Sequence, residues 1–506
     1  MSTTTTMIAD VQREFEALVR DVQGPATASL RADEVELQVF RRLLALGGAL
    51  LQLHFDSRAA TRPDEPVLSP DGTLLRCHDR RSRRYVSIFG PLALRRHAYH
   101  APGQPVVCPL DEALSLPPRG YSMVLREWVA YGATDSTYRE TQTLLERVLG
   151  VSLSVAALET CLAEDACDVA AFDQQAPAPA LDPAATILVA QADGKGVPIV
   201  RPARQPRVAR PTSGRPGGRM KEATVSAVYA IAAYERTPDE IVSALLDASD
   251  AARQAGERVD PLAQPQPRPQ RRPRPVGKQL RATLAGKTAG VTHLAQAVGR
   301  RAAASSAARV TVCDGAEALQ DELRRLLPRH TLVLDIIHAT EYLWEAATAL
   351  LGQRHPGRLA WMRQQLTLLV GGQTAQVIAA LEAAAASPEC ATQQRAALTR
   401  TIRYYRRNAP YMRYDAYLAR GWPIGTGVVE SACGHLVKDR LQQAGMRWTL
   451  PGAQAVLDLR AVRLSGEWDA YWPYHRQQQH QRRYGLPPRP RPRDIEDRCS
   501  PQALAA

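Results

Sequence analysis

The chain has little of several things, and each shortage excludes a class of protein. Its eight cysteines are scattered over 506 residues without one CxxC pair. Neither a disulfide framework nor a standard zinc module is expected, and the thiols read as reduced, in a cytoplasmic setting. No stretch approaches eighteen consecutive apolar residues; the most apolar early run, 43–55, is broken by Gly47, Gly48, Gln52 and His54. A membrane-spanning helix is therefore not expected. The opening MSTTTTMIADVQREFE lacks a basic region followed by an apolar core, so no secretory signal is expected. Aromatic residues are scarce at 6%, and residues 261–313 contain no Asp or Glu. What is present is ordinary globular material, 45% hydrophobic and 23% charged, with a net charge of +13. The length suggests about three domains. The charge suggests a polyanionic partner.

Periodicity divides the chain. Residues 1–25 are polar and expected to be a flexible N-terminus. Residues 26–173 read as a mainly helical region holding one β-hairpin (84–90 and 92–99, with Gly90-Pro91 at the turn) and a possible helix-turn-helix. There Tyr138 to Leu149 forms one helix, Gly150 stops it, and Ser154 caps a second from Val155 to Leu162. The shape suits DNA docking, whereas Glu159, Glu164, Asp165 and Asp168 on and beyond the second helix would repel phosphate. Ordinary helix packing is the other reading. If DNA docks here, Arg139 and Arg147 of the first helix are its contacts.

After a linker at 174–185, residues 185–345 mix strands and helices. Thr186–Ala190, Glu222–Ala232, Ala308–Cys313 and Thr331–Ile337 are expected strands, the last two parallel across a helix. The fold class is α/β. Residues 346–424 are helical, 425–465 carry a further helix from about Val428 to Gln443, and 466–506 form an expected basic, Pro-rich tail.

Positive charge gathers in three places. One holds Arg219 and Lys221 at the end of an acid-free loop, and the second holds Arg271 and Arg272. The third, 400–422, interleaves Arg403, Arg406, Arg407 and Arg413 with five of the chain's 16 tyrosines. Arginine grips phosphate and a tyrosine face stacks on a base, so nucleic-acid contact is the preferred reading over an aromatic core beneath a charged face.

Against this background a few carboxylates stand out. Asp193 follows an apolar run, Asp314 ends another, and Glu430 lies near a helix start with Lys438 eight residues on. Ligands of α/β sheets gather beyond the carboxyl ends of strands. Three such oxygens from remote segments suit a pair of Mg²⁺ ions, which need few protein ligands. Taken singly, each acid is as readily a turn residue or a helix-dipole partner.

The motifs Asp193-Gly-Lys-Gly-Val, Cys313-Asp-Gly-Ala-Glu-Ala-Leu, Leu334-Asp335-Ile-Ile-His338-Ala-Thr-Glu-Tyr-Leu-Trp344, Arg413-Tyr-Asp-Ala-Tyr-Leu, Pro423-Ile-Gly-Thr-Gly-Val-Val-Glu430-Ser and Gly445-Met-Arg-Trp448 follow one another in this order. Together they are similar to the Kra-type insertion-sequence family of bacterial DDE transposases, over about Tyr85 to Arg463. The resemblance implies an RNase H-like core with a mixed sheet, interrupted by an α-helical insertion at 346–424. It implies Asp193, Asp314 and Glu430 as the catalytic, metal-holding triad, with two Mg²⁺ ions for which Mn²⁺ could substitute. It implies cleavage of double-stranded DNA at element ends, then strand transfer into target DNA, by a homo-oligomer at the bacterial nucleoid. Asp335 and His338 match a secondary Asp-x-x-His pattern and are expected to support the site. Asp335 rivals Asp314 as second carboxylate; Asp314 is preferred because it ends its strand while Asp335 falls within one. Arg447 and Trp448 are candidate DNA contacts, with Trp448 as core the alternative.

Two other classes compete. One is a catalytically silent, transposase-derived DNA-binding or regulatory protein. The other is a sugar hydrolase using paired carboxylates, which the positive charge and scarce aromatics disfavour. A zinc site from Cys77, His78, His97, His100 and Cys108 fits no standard spacing.

Overall fold

The computed structural model describes residues 3–69, 71–177, 179, 183–200, 219–247, 272–302, 308–443 and 445–485. The chain divides into two compact units, Met1–Phe172 with Trp468–Ala506, and Asp173–Glu467.

In the first unit, helices Thr3–Gln23 and Ala32–Ala60 pack as an antiparallel pair. The expected flexible N-terminus is thus helical from Thr3, because Leu18 is buried and Arg42 of the second helix pairs with Glu14 and Asp21 of the first. Strands β1 (Arg76–Ser87) and β2 (Gly90–His100) form the hairpin, with a bulge between Cys77 and Asp79. The turn is Ile88-Phe89 rather than Gly90-Pro91, since Ser87 pairs with Gly90.

The two-helix motif is where the sequence places it. Helix Tyr138–Leu149 opens on a reciprocal cap, in which the Thr137 side chain accepts from Glu140 N and the Glu140 carboxylate accepts from Thr137 N at 2.8 Å. It ends at Gly150, whose φ of +67° a side chain would resist. Ser154 caps Val155–Asp165. The first part of the expected basic tail is a helix, Trp468–Tyr484, anchored by the buried Tyr471, Trp472 and His475, and residues 486–506 lie outside the described residues.

The second unit is built on a mixed five-stranded sheet of β3 (Ile187–Ile199), β4 (Arg219–Ile231), β5 (Val276–Thr283), β6 (Ala308–Cys313) and β7 (Thr331–Leu334), in the order β5-β4-β3-β6-β7. β3 is antiparallel to β4, β4 is antiparallel to β5, and β6 is parallel to both β3 and β7. The apolar runs are continuous because helices cover both faces of this sheet. Ile187, Val189, Val310 and Val312 share a core with helices Ile336–Leu351, Arg358–Val370 and Thr392–Asn408. Leu188, Ala190, Ala192 and Cys313 share another with helices Lys287–Ala302 and Glu317–Leu326. The helices expected at 346–424 are present, but they are no separate body: they form the first of these cores with the sheet.

β5 was not expected. It lies in the acid-free basic stretch, and Arg281 within it is buried against Asp173 and Glu467. No helix among the described residues is long and apolar enough to cross a membrane.

Candidate active site

The register of the sheet assembles the site. In the parallel pair β3–β6, Ala192 lies opposite Cys313; one step further on, Asp193 on β3 and Asp314 just past β6 come side by side. Asp193 is not past its strand, as expected, but inside it, paired with Val225 across β4. Burial pushes the Asp314 carboxyl up, and the charge of Asp193 pushes it further; the Ala316 N–H, His338 and Lys287 pull the other way. A cation bound beside Asp314 would relieve that upward push.

Asp335 stands level with them, since Cys313 pairs with Leu334 and the Asp335 amide donates to Cys313 O at 2.9 Å. β7 stops at Leu334, so Asp335 follows its strand just as Asp314 does, and the expected distinction between them fails. A different one separates them. Asp335 is fully buried, with Oδ1 accepting from Thr426 N at 3.0 Å and Oδ2 held by His338 Nδ1 at 2.6 Å. It caps helix Ile336–Leu351 and anchors the segment leading to Glu430. Asp314 is only partly buried, and its Oδ1 accepts from Ala316 N at 3.1 Å. The Asp335 bond raises the His338 imidazole to about 9, against burial, which lowers it; the charges of Asp335, Glu341 and Asp314 add to the rise. His338 therefore presents a cation at neutral pH.

Glu430 lies in helix Gly427–Ala432, which passes into a π-helical turn, Cys433–Lys438, before Asp439–Leu441. The single helix expected from Val428 to Gln443 is therefore interrupted, and π turns of this kind favour functional sites. Two side chains that the sequence reading passed over tie this segment to β3. Gln191, fully buried, accepts from Val429 N at 3.0 Å and donates to Gly425 O at 3.0 Å. The Cys433 thiol donates to Asp193 Oδ2 at 3.4 Å. A Gln within the apolar run Ile-Leu-Val-Ala-Gln-Ala was the available signal for the first. Glu430, one turn before Cys433, is exposed, as is Lys438. Asp193, Asp314 and Glu430 do not form a set whose ligand oxygens all lie within 4.8 Å of one another.

The acids have few cations close by. Lys287 pairs with Glu222, a further carboxylate that packs against Gly194. Arg407 binds Gly315 O and Glu317 next to Asp314. Gly315 itself admits no side chain, because a Cβ there would strike the Tyr404 ring.

The Arg/Tyr segment is resolved in part against expectation. Tyr404, Tyr405, Tyr414 and Tyr417 are buried in the core and offer no stacking face to a base. Arg403, Arg406, Arg407 and Arg413 are on the outside, Arg406 paired with Glu382. Arg139, Arg147, Arg272 and Arg447 are exposed and Lys221 is partly so. Arg271 lies outside the described residues, as does the side chain of Arg219. Trp448 is core, not a DNA contact: its Nε1 donates to Leu441 O at 3.1 Å and its backbone amide donates to Pro198 O at 3.0 Å.

Among the described residues, Cys167, Asp168 and His475 come close enough to share a metal ion. Their chemistry argues otherwise. Both His475 ring nitrogens face carboxylates, Asp168 at 2.7 Å and Asp165 at 3.2 Å. Against burial, which lowers it, these bonds raise the imidazole, and with a carboxylate on each side neither ring nitrogen is turned towards a shared ion. The seven cysteines among the described residues are free, and Cys77 meets only His97 of the other suggested zinc residues, at 3.6 Å.

No protein-family model matches the chain, and no curated protein matches it.

Proposed function

We infer that the protein is a DDE-type DNA transposase. The observation that carries the reading is the placement of Asp193 and Asp314 side by side on adjacent parallel strands, with the Glu430 segment bonded to Asp193 through Cys433. A sheet in which only its second strand in chain order is reversed supports an RNase H-like core, and the helices between β7 and Gly427 fit the inserted segment. The donor set is all oxygen, which fits Mg²⁺ or Mn²⁺ and does not fit softer metals. Asp193, Asp314 and Glu430 would hold the ions. When bound, a metal pair lowers the pKa of an attacking water or hydroxyl and neutralises charge at the scissile phosphate. The chain's own residues do the positioning. Gln191 and Asp335 fix the 425–430 segment against the sheet, and cationic His338 and Arg407 lie near Asp314 where they can meet phosphate oxygens. The exposed arginines supply non-specific grip on double-stranded DNA, which weakens with salt.

The test is strand nicking, in Mg²⁺, of a plasmid carrying the reading frame with its genomic flanks. Glu430→Gln is expected to abolish nicking and leave DNA retention intact. The exposure of Glu430 favours a second reading, a silent transposase-derived DNA-binding protein. Equal behaviour of the unaltered chain and Glu430→Gln would select it.

A further inference from the structure

The helical pair at the start of the chain carries an apolar face whose large side chains stay exposed among the described residues, with Phe89 seated against it at Gly47. On helix Ala32–Ala60, Glu36, Phe40, Leu43, Gly47, Leu50 and His54 recur at alternating steps of four and three. That is the seam of a coiled coil. On helix Thr3–Gln23, Ile8, Gln12, Phe15, Val19 and Val22 do the same. The large side chains of both seams are exposed by 40–52%. The ion pairs of Arg42 with Glu14 and Asp21 mark where the two helices meet, on the faces that also carry the buried Leu18 and Leu46. Each seam follows its contact line by roughly a quarter turn, at about 100° per residue. Antiparallel helices rotate in opposite senses when viewed from one end, so both seams fall on the same side of the pair.

We propose that this face is a homodimer interface, in which two copies of the helical pair close into an antiparallel four-helix bundle. The longer seam is complementary to itself. Acids stand at its start (Asp33, Glu36), bases at its end (His54, Arg58), and apolar residues between. Laid antiparallel about a two-fold axis near residue 45, Glu36 of one copy meets the position of His54 on the other. Phe40 then meets the position of Leu50, and Leu43 that of Gly47. At Gly47 the ring of Phe89 fills the space where a side chain would stand, and it remains 37% exposed. A two-fold interface demands this kind of self-matching. The exposed seam side chains amount to roughly 600–800 Å² per copy, close to the ~800 Å² of a standard interface.

DNA is a poor occupant. Residues 3–60 hold six arginines, no lysine, and eight acids, so this segment is net negative in a chain of +13.

The test is the mass of the full chain in solution by analytical ultracentrifugation, without DNA or metal, so its outcome is independent of the carboxylate site. The unaltered protein is expected to sediment as two chains. Phe40→Asp with Leu43→Asp should halve the mass without changing the helical circular-dichroism signal. Glu36→Lys and His54→Glu should each weaken association, and the two together should restore it, which only antiparallel self-pairing explains. A single-chain mass for the unaltered protein overturns the proposal and assigns the face to a different partner. So does a two-chain mass indifferent to the aspartates, or a double charge swap no better than either single one.

Discussion

Two clusters in this protein gather aspartates around a histidine and reach different charge balances. In the first unit Asp165 and Asp168 face Arg126, Arg482 and His475, with Arg126 fully buried at 2.6 Å from Asp165. Against burial, which raises it, the His475 and Arg482 bonds hold the Asp168 carboxyl down to about 2. In the second unit Asp193, Asp314 and Asp335 stand in a row across three strands, and one member is pushed up rather than down. In the first case Arg126, Arg482 and His475 face Asp165, Asp168 and Glu164, so each acid has a basic side chain beside it. In the second, His338 answers Asp335 and the remaining pair is short of positive charge. Proximity of ligand atoms favours the first cluster as a metal site, and charge balance favours the second.

The comparison can be broken at either cluster. The largest effect is expected from Asp193→Asn or Asp314→Asn, which should cut Mg²⁺-dependent nicking by about three orders of magnitude or more while the fold persists. Loss of nicking in Arg126→Met, with none in Asp193→Asn, would reverse the assignment. Next, Arg126→Met should destabilise the protein by about 3–5 kcal/mol, because it strands a buried carboxylate. Urea titration followed by tryptophan fluorescence reads this, and nicking per folded molecule should not change. Third, Mg²⁺ should raise the melting temperature of the unaltered chain, by the equivalent of about 2.7 kcal/mol at a hundred times its dissociation constant. The Asp193→Asn/Asp314→Asn double variant should show no such rise, and removal of the ion with a chelator should reverse it.

The smallest effect is at His338. Its folded value of about 9 lies above the ordinary 6.5, so its contribution to stability is complete below pH 6.5 and fades as pH rises through about 9. The ring is partly exposed, which limits the effect to under about 1 kcal/mol. His338→Gln should flatten the stability profile across that window.

Much of this arrangement is legible in the amino-acid order, and the failures have physical causes. β6 spans Ala308–Cys313 as expected because it is rich in Val and Thr and its end is marked by Asp-Gly. Helix Tyr138–Leu149 was legible from its caps. β5 was hidden because buried Arg281 is paid for by Asp173 and Glu467, partners more than a hundred residues away. Tyr404, Tyr405, Tyr414 and Tyr417 were misread because composition reports that arginine and tyrosine are neighbours, not which way each side chain turns. At Thr331–Ile337 the apolar run continues past the strand, and the cap made by Asp335 ends it early. The proximity of Asp193 to Asp314 depends on strand register, which no local pattern encodes.

One consequence follows from how late Glu430 arrives. The loop and helix that carry it are pinned to β3 by Gln191 and to β7 by Asp335, across chain separations of 238 and 91 residues. A polypeptide emerging from the ribosome therefore completes its sheet and several helices before the last acid can dock. On the proposed reading, unfinished or truncated products are harmless to the chromosome, since every fragment ending before that segment lacks the means to cut.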